Sequence, residues 1–118
     1  MSLFKIETNE ADNGIVVARL EGRLNAGSSP EVKERLKSLI AEDSHNLVLD
    51  LSDVSFIDSS GLSALVAGYK AAAEAGGSLK LACMMPQVSE VFFLTHLDRV
   101  FETYPELGAA LASFSQHG

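Results

Sequence analysis

Hydrophobic positions change their period several times along the chain, and each change marks an element. "LFKIE" and "GIVVARLEG" alternate. Val16, Ala18 and Leu20 fall on one side and Val17 and Arg19 on the other, the two-residue period of a strand. "NEADNG" between them is turn chemistry, with Asn-Gly its strongest signal, so the two strands are expected to form an antiparallel hairpin. The period then lengthens. Val32, Leu36, Leu39 and Ile40 line one face of a helix, with Ser28 or Ser29 as its cap, Pro30 in its first turn and Glu31 near its positive end. Leu47 to Leu51 is a short apolar run, which reads as a buried strand.

A second helical stripe follows through Leu62, Leu65, Val66, Tyr69 and Ala73, and Gly76-Gly77 stops it. "SLKLAC" is a strand. Pro86 opens a third helix with Val88, Val91, Phe92 and either Leu94 or Thr95 facing inward. "RVFE" reads as a short edge strand and "PELGAALASF" as a last helix. Strands alternating with helices predict an α/β fold with a parallel or mixed sheet. A chain of 118 residues holds one core, so residues 1–118 are expected to form a single domain.

Composition narrows the function. The net charge of −7 argues against a nucleic-acid binder, which needs clustered Lys and Arg. No apolar run approaches the roughly 20 residues of a membrane span, and "MSLFKIETNE" has no apolar leader segment. Cys83 is the sole cysteine, so an intrachain disulfide is excluded, and its place at a strand end reads as a small core residue. These features fit a cytoplasmic protein with no membrane contact.

Catalytic chemistry finds little support. "DSSG" lacks the first glycine of the Gly-x-Ser-x-Gly elbow. His45 precedes a strand, His96 ends a helix, and His117 falls in the terminal residues, where order is not expected. Asp50, Asp53 and Asp58 could gather at a strand end, but Asp53 has a simpler role in the turn after the strand. No metal, nucleotide or other cofactor is expected, and the protein is not read as an enzyme.

One stretch stands apart: "SFIDSSGLSAL", Ser55 to Leu65. Asp58 or Ser59 is placed to cap the second helix. Gly61 admits a close approach by a backbone or a partner surface. A serine here is exposed on a rigid support. A phosphoryl group on it would meet unpaired first-turn N–H groups and add about −1.5 to −2 charge beside Asp58. The residues fit plain capping and a covalent switch alike.

The chain resembles the STAS domain family, whose best-known members are bacterial anti-sigma factor antagonists. The resemblance rests on "LVLDLSDVSFIDSSGLSAL" and "GGSLKLACMMPQVSEVFFLTHLDRVFE", with "LEGRLNAGSS" in the place of the family's Gly-x-Leu-Asp segment, and it runs nearly end to end. It implies a small mixed sheet with helices packed mainly on one face. It also implies a phosphorylation-switched binding module. Ser59 would accept the phosphoryl group from an anti-sigma factor that is also a serine kinase, and a serine phosphatase would remove it. The unphosphorylated form would sequester the anti-sigma factor and free a sigma factor. Asp58, Ser60, Gly61, Ser63, Gly22, Leu24 and Asn25 would form the partner-binding surface, on a protein expected to be a monomer. Relatives of other kinds imply two alternatives: a subunit of a lipid-transport ABC complex, or an output regulator of a non-sigma signalling pathway. The chain departs from the family's pattern at Asn25, where an acid is frequent, and at Arg23, where a glutamate is.

Overall fold

The computed structural model describes residues 4–42 and 45–114, so Leu3 and His117 lie outside the described residues. The hairpin forms as expected. Strand β1, Lys5–Glu10, pairs antiparallel with β2, Val16–Leu24, from Lys5↔Glu21 to Glu10↔Val16. Asn13 and Gly14 make the reversal at φ 66° and 75°, a region that a short amide side chain or none occupies at least cost. Helix α1, Ser29–Ala41, returns the chain, and β3, Asn46–Ile57, joins β2 in parallel. Then come α2, Ser59–Glu74; β4, Ser78–Ala82; α3, Pro86–Leu94; β5, Thr103–Tyr104; and α4, Leu107–Ser113. The sheet order is β1-β2-β3-β4-β5, parallel at every pair after the first.

Strand alternation divides the apolar residues between two faces. Ala18, Leu20, Leu47, Leu49, Leu79 and Leu81 pack with Val32 and Leu36 of α1, Leu62 and Leu65 of α2, and Val88 and Phe92 of α3. On the other face Val17, Val48 and Ala82 pack with Ala110 of α4, flanked by Leu107, Leu111 and Phe114. Three helices therefore cover one face and one short helix the other. Among the described residues no helix is long and apolar enough to cross a membrane.

Several expectations shift. Strand β3 runs well past Leu51, to Ile57. Asp53 is a strand residue there, not a turn residue. The pairing with β2 slips between Arg19 and Glu21, and the Arg19 guanidinium donates two N–H groups to the Asp53 carboxylate. Helix α2 buries Ala72 and exposes Ala73, so its inward stripe is rotated from the expected one. Leu94 and Thr95 are exposed, because α3 ends at Leu94 and His96 takes a left-handed φ of 63°. Of "RVFE" only Glu102 reaches the sheet, its carbonyl accepting the Leu81 N–H at 3.0 Å. Phe101 is drawn into the core, edge-on to Tyr69 at 5.2 Å and to Phe92 at 5.7 Å, and the edge strand forms at Thr103–Tyr104 instead. Cys83 lies just beyond β4, half-buried against the smaller cluster; burial first, and then the Asp50 charge, raise its thiol pKa.

Candidate functional site

The Asp58-Ser59-Ser60-Gly61 run sits where the carboxyl ends of β2 and β3 meet the start of α2. Asp58 is the cap. Its backbone is extended, at φ −119° and ψ −171°, and its Oδ1 accepts from the N–H groups of Ser60 at 2.9 Å and Gly61 at 3.1 Å. The Leu62 N–H donates to the Asp58 carbonyl at 2.9 Å. The Ser60, Gly61 and Leu62 N–H groups, among the donors that the sequence left open to a phosphate, are thus already paired inside the helix mouth.

Gly61 is buried, and the close approach it permits is internal. A Cβ there would lie 2.5 Å from the Leu24 carbonyl oxygen and 2.9 Å from Ile57 Cγ1. That same Leu24 oxygen accepts the Asp58 N–H at 3.1 Å. Strand β2 is therefore fastened to the start of α2 by one carbonyl. The Leu24 side chain is wholly buried in the core, so Leu24 serves the site through its backbone and offers no side chain to a partner.

Asn25 organises the next turn. Its Oδ1 accepts from the N–H groups of Gly27 at 2.9 Å and Ser28 at 3.2 Å, and its carbonyl accepts from the Ser29 N–H and hydroxyl at 2.9 and 2.6 Å. Ser28 stands at the N-cap of α1 as expected, but its side chain makes no capping bond. Ser28 Oγ donates to the Arg23 carbonyl at 2.6 Å, and Asn25 satisfies the turn that leads into α1. A neutral amide does this job as well as a carboxylate, which accounts for its tolerance here. Gly22 is half-buried in β2 at φ 121°, beside the second slip in the β2–β3 pairing. Arg23 lies over the Phe56 ring, 4.2 Å from its centroid.

The exposed product is a ridge of hydroxyls. Ser59 and Ser63 are exposed, one turn apart, and Ser60 is half-buried. A groove of about 580 Å³ runs along one flank, lined by Ser59, Leu62, Ser63, Val66, Lys70 and Leu97 among others. A second, of about 400 Å³, lies on the other flank, with Lys33, Ser60 and Ser63 in its wall. Ser63 belongs to both. Sequence reasoning missed Lys33, Lys70 and Leu97, because the ridge is assembled from α1, α2 and the turn after α3. Phe93 and Leu94, each 66% exposed, stand at the end of α3 just before that turn.

No hydrogen bond joins Ser59 to a histidine among the described residues, and no group of three His, Cys, Asp or Glu residues there is placed to hold a metal. Asp53 is engaged by Arg19, Asp50 by the Ser52 N–H at 3.0 Å, and Asp58 by the cap.

Comparison with known proteins agrees with this geometry. The STAS domain family model matches residues 6–110. The anti-sigma-B factor antagonist of Bacillus subtilis is 32% identical over 97 residues, 82% of this chain and 87% of that protein. That of Listeria monocytogenes is 29% identical over 97 residues, 82% of this chain and 85% of its own length. The crystal structure of an anti-sigma factor antagonist from Mycobacterium paratuberculosis superposes with a TM-score of 0.84 at 28% identity, covering 93% of this chain and 92% of that one.

Proposed function

Since the chain belongs to the STAS domain family, we propose that it is an anti-sigma factor antagonist: a protein-binding module switched by phosphorylation of Ser59. The unphosphorylated form binds an anti-sigma factor with serine kinase activity and releases a sigma factor. A serine phosphatase resets it. The protein acts as a monomer in the cytoplasm, by binding and without catalysis.

The observation that carries this reading is Ser59 itself, an exposed hydroxyl on the first residue of a helix whose mouth is closed by Asp58. Because the Ser60 and Gly61 N–H groups are committed to Asp58, a phosphate cannot sink into the helix end. It projects from the ridge, carrying about −1.5 to −2 charge. A partner seated on Ser60, Ser63 and the flanking grooves then meets a solvated dianion. Asn25 holds the turn at Ser29 of the second groove, Gly22 lies in β2 two residues before Leu24, and Leu24 and Gly61 support the helix start from within. Couplings of about 1–3 kcal/mol change affinity some 5–150-fold, so one phosphate is a sufficient switch.

The test takes the kinase partner, the wild-type chain and Ser59→Ala. Intact-mass measurement is expected to show one added phosphate on the wild type and none on Ser59→Ala. Calorimetry is expected to show the phosphorylated chain binding the partner at least tenfold more weakly. Phosphate on the alanine variant, or equal binding by both forms, overturns the reading.

A further inference from the structure

At the opposite end of the sheet, a buried cation faces a cavity that the serine ridge does not explain. Lys80 lies within β4, in register with Val48, and is only 6% exposed. A buried ammonium is costly unless its hydrogen bonds and charge are met. Its Nζ donates to Ser113 Oγ at 2.8 Å, lies 3.4 Å from Glu102 Oε1, and sits 4.1 Å from the centroid of the Phe114 ring. The Ser113 hydroxyl donates onward to the Ala110 carbonyl at 2.6 Å. Glu102 is itself largely exposed, so it offsets the charge only in part.

The cavity beside Lys80 measures about 390 Å³. Asn13, Asn46 and Ser78 supply its polar wall, and Ile15, Leu111 and Phe114 its apolar wall. Lys80 is the one charged residue in that lining among the described residues. Asn46 opens β3 and Ser78 opens β4, so the cavity lies at the amino ends of the strands, away from Ser59.

We propose that this cavity binds a small monocarboxylate, with its carboxylate on the Lys80 ammonium and a short hydrocarbon body against Ile15, Leu111 and Phe114. The sign of the ligand follows from the lone cation in the wall. Its single charge follows from Glu102, whose carboxylate beside Nζ repels a dianion. Its apolar body follows from the half of the wall that has nothing to offer a polar group. The volume, within the range of ligand sites, leaves ample room for a short hydrocarbon body. A bound molecule bridges α4 to the starts of β3 and β4. This site is independent of the reading given to Ser59.

Titration of the full chain with butyrate, its neutral analogue butyramide and inorganic phosphate, followed by amide NMR, tests the proposal. Butyrate is expected to give saturable shifts at Ser78, Lys80 and Leu111, with butyramide and phosphate each at least tenfold weaker. Lys80→Met is expected to weaken butyrate at least tenfold. Asn13→Asp, an exposed turn substitution that folds regardless of Lys80, is expected to weaken butyrate severalfold and leave butyramide unchanged. Absence of saturable shifts with butyrate overturns the proposal. So does equal binding of butyramide, tighter binding of phosphate, or butyrate affinity unchanged in both variants.

Discussion

Asp58 and Gly61 hold the same helix start by different means, and their substitutions separate the two. Asp58→Ala removes the acceptor for two backbone N–H groups and is expected to cost about 1 kcal/mol, read as a lowered urea midpoint, while Asp58→Asn keeps an acceptor and most of that stability. Gly61→Ala drives a methyl group to 2.5 Å from the Leu24 carbonyl and has no flexible side-chain end to yield. It is expected to cost about 1–3 kcal/mol in the same measurement. The sequence left Asp58 and Ser59 open as caps, because both offer an oxygen at the right place. Only the bonds from Ser60 and Gly61 decide between them. The glycine was legible as a place of close approach, yet not what approached. Leu24 reaches it through the sheet, a non-local contact that no local pattern carries. Asn25 shows the same limit: its amide replaces a cap that serine chemistry alone predicted.

The elements were readable where their burial is one-sided, and less so where the sheet edge competes with the core. The hairpin, α1, α2 and β4 follow from period and turn residues. At the carboxyl end, Phe101 leaves the expected edge strand for the core, and pairing begins only at Thr103. That edge carries a pH dependence. The Tyr104 hydroxyl, which donates to Glu102 at 2.8 Å, and then Lys80 hold the Glu102 carboxyl below its ordinary value of 4.5. Folding therefore favours the carboxylate. Its contribution is complete above about pH 4.5 and is lost as pH falls through the lower folded value. Since Glu102 is largely exposed, the size is under about 1 kcal/mol. Glu102→Gln is expected to be less stable than the wild type at pH 7, with the gap in urea midpoint closing near pH 3.

For the whole molecule, the two faces of the sheet carry unequal weight. Leu65 is fully buried between α2 and the sheet, and Leu65→Ala is expected to cost about 2–5 kcal/mol. Leu111 is only half-buried on the other face, and Leu111→Ala is expected to cost under about 2 kcal/mol. Urea denaturation of both variants with an unchanged m-value checks the ranking. This asymmetry was visible in the sequence of the two central strands, where Leu47, Leu49, Leu79 and Leu81 point one way and Val48 and Ala82 share the other with Lys80. The groove flanking Ser59 was not visible, because Leu62 and Lys70 of α2 meet Leu97 only after the turn that follows α3 has packed against that helix.

The sheet order, β1 to β5 in chain sequence, has a consequence for synthesis. Each strand leaving the ribosome joins an edge that is already in place, so no finished pair has to open to admit a later strand. The cap, its Leu24 fastening and the hydroxyl ridge draw on β2, α1, β3 and α2 alone. Ser59 and the hydroxyl ridge therefore depend on no residue of β4, β5 or the lysine cavity, while the groove that Leu97 completes waits for the turn after α3.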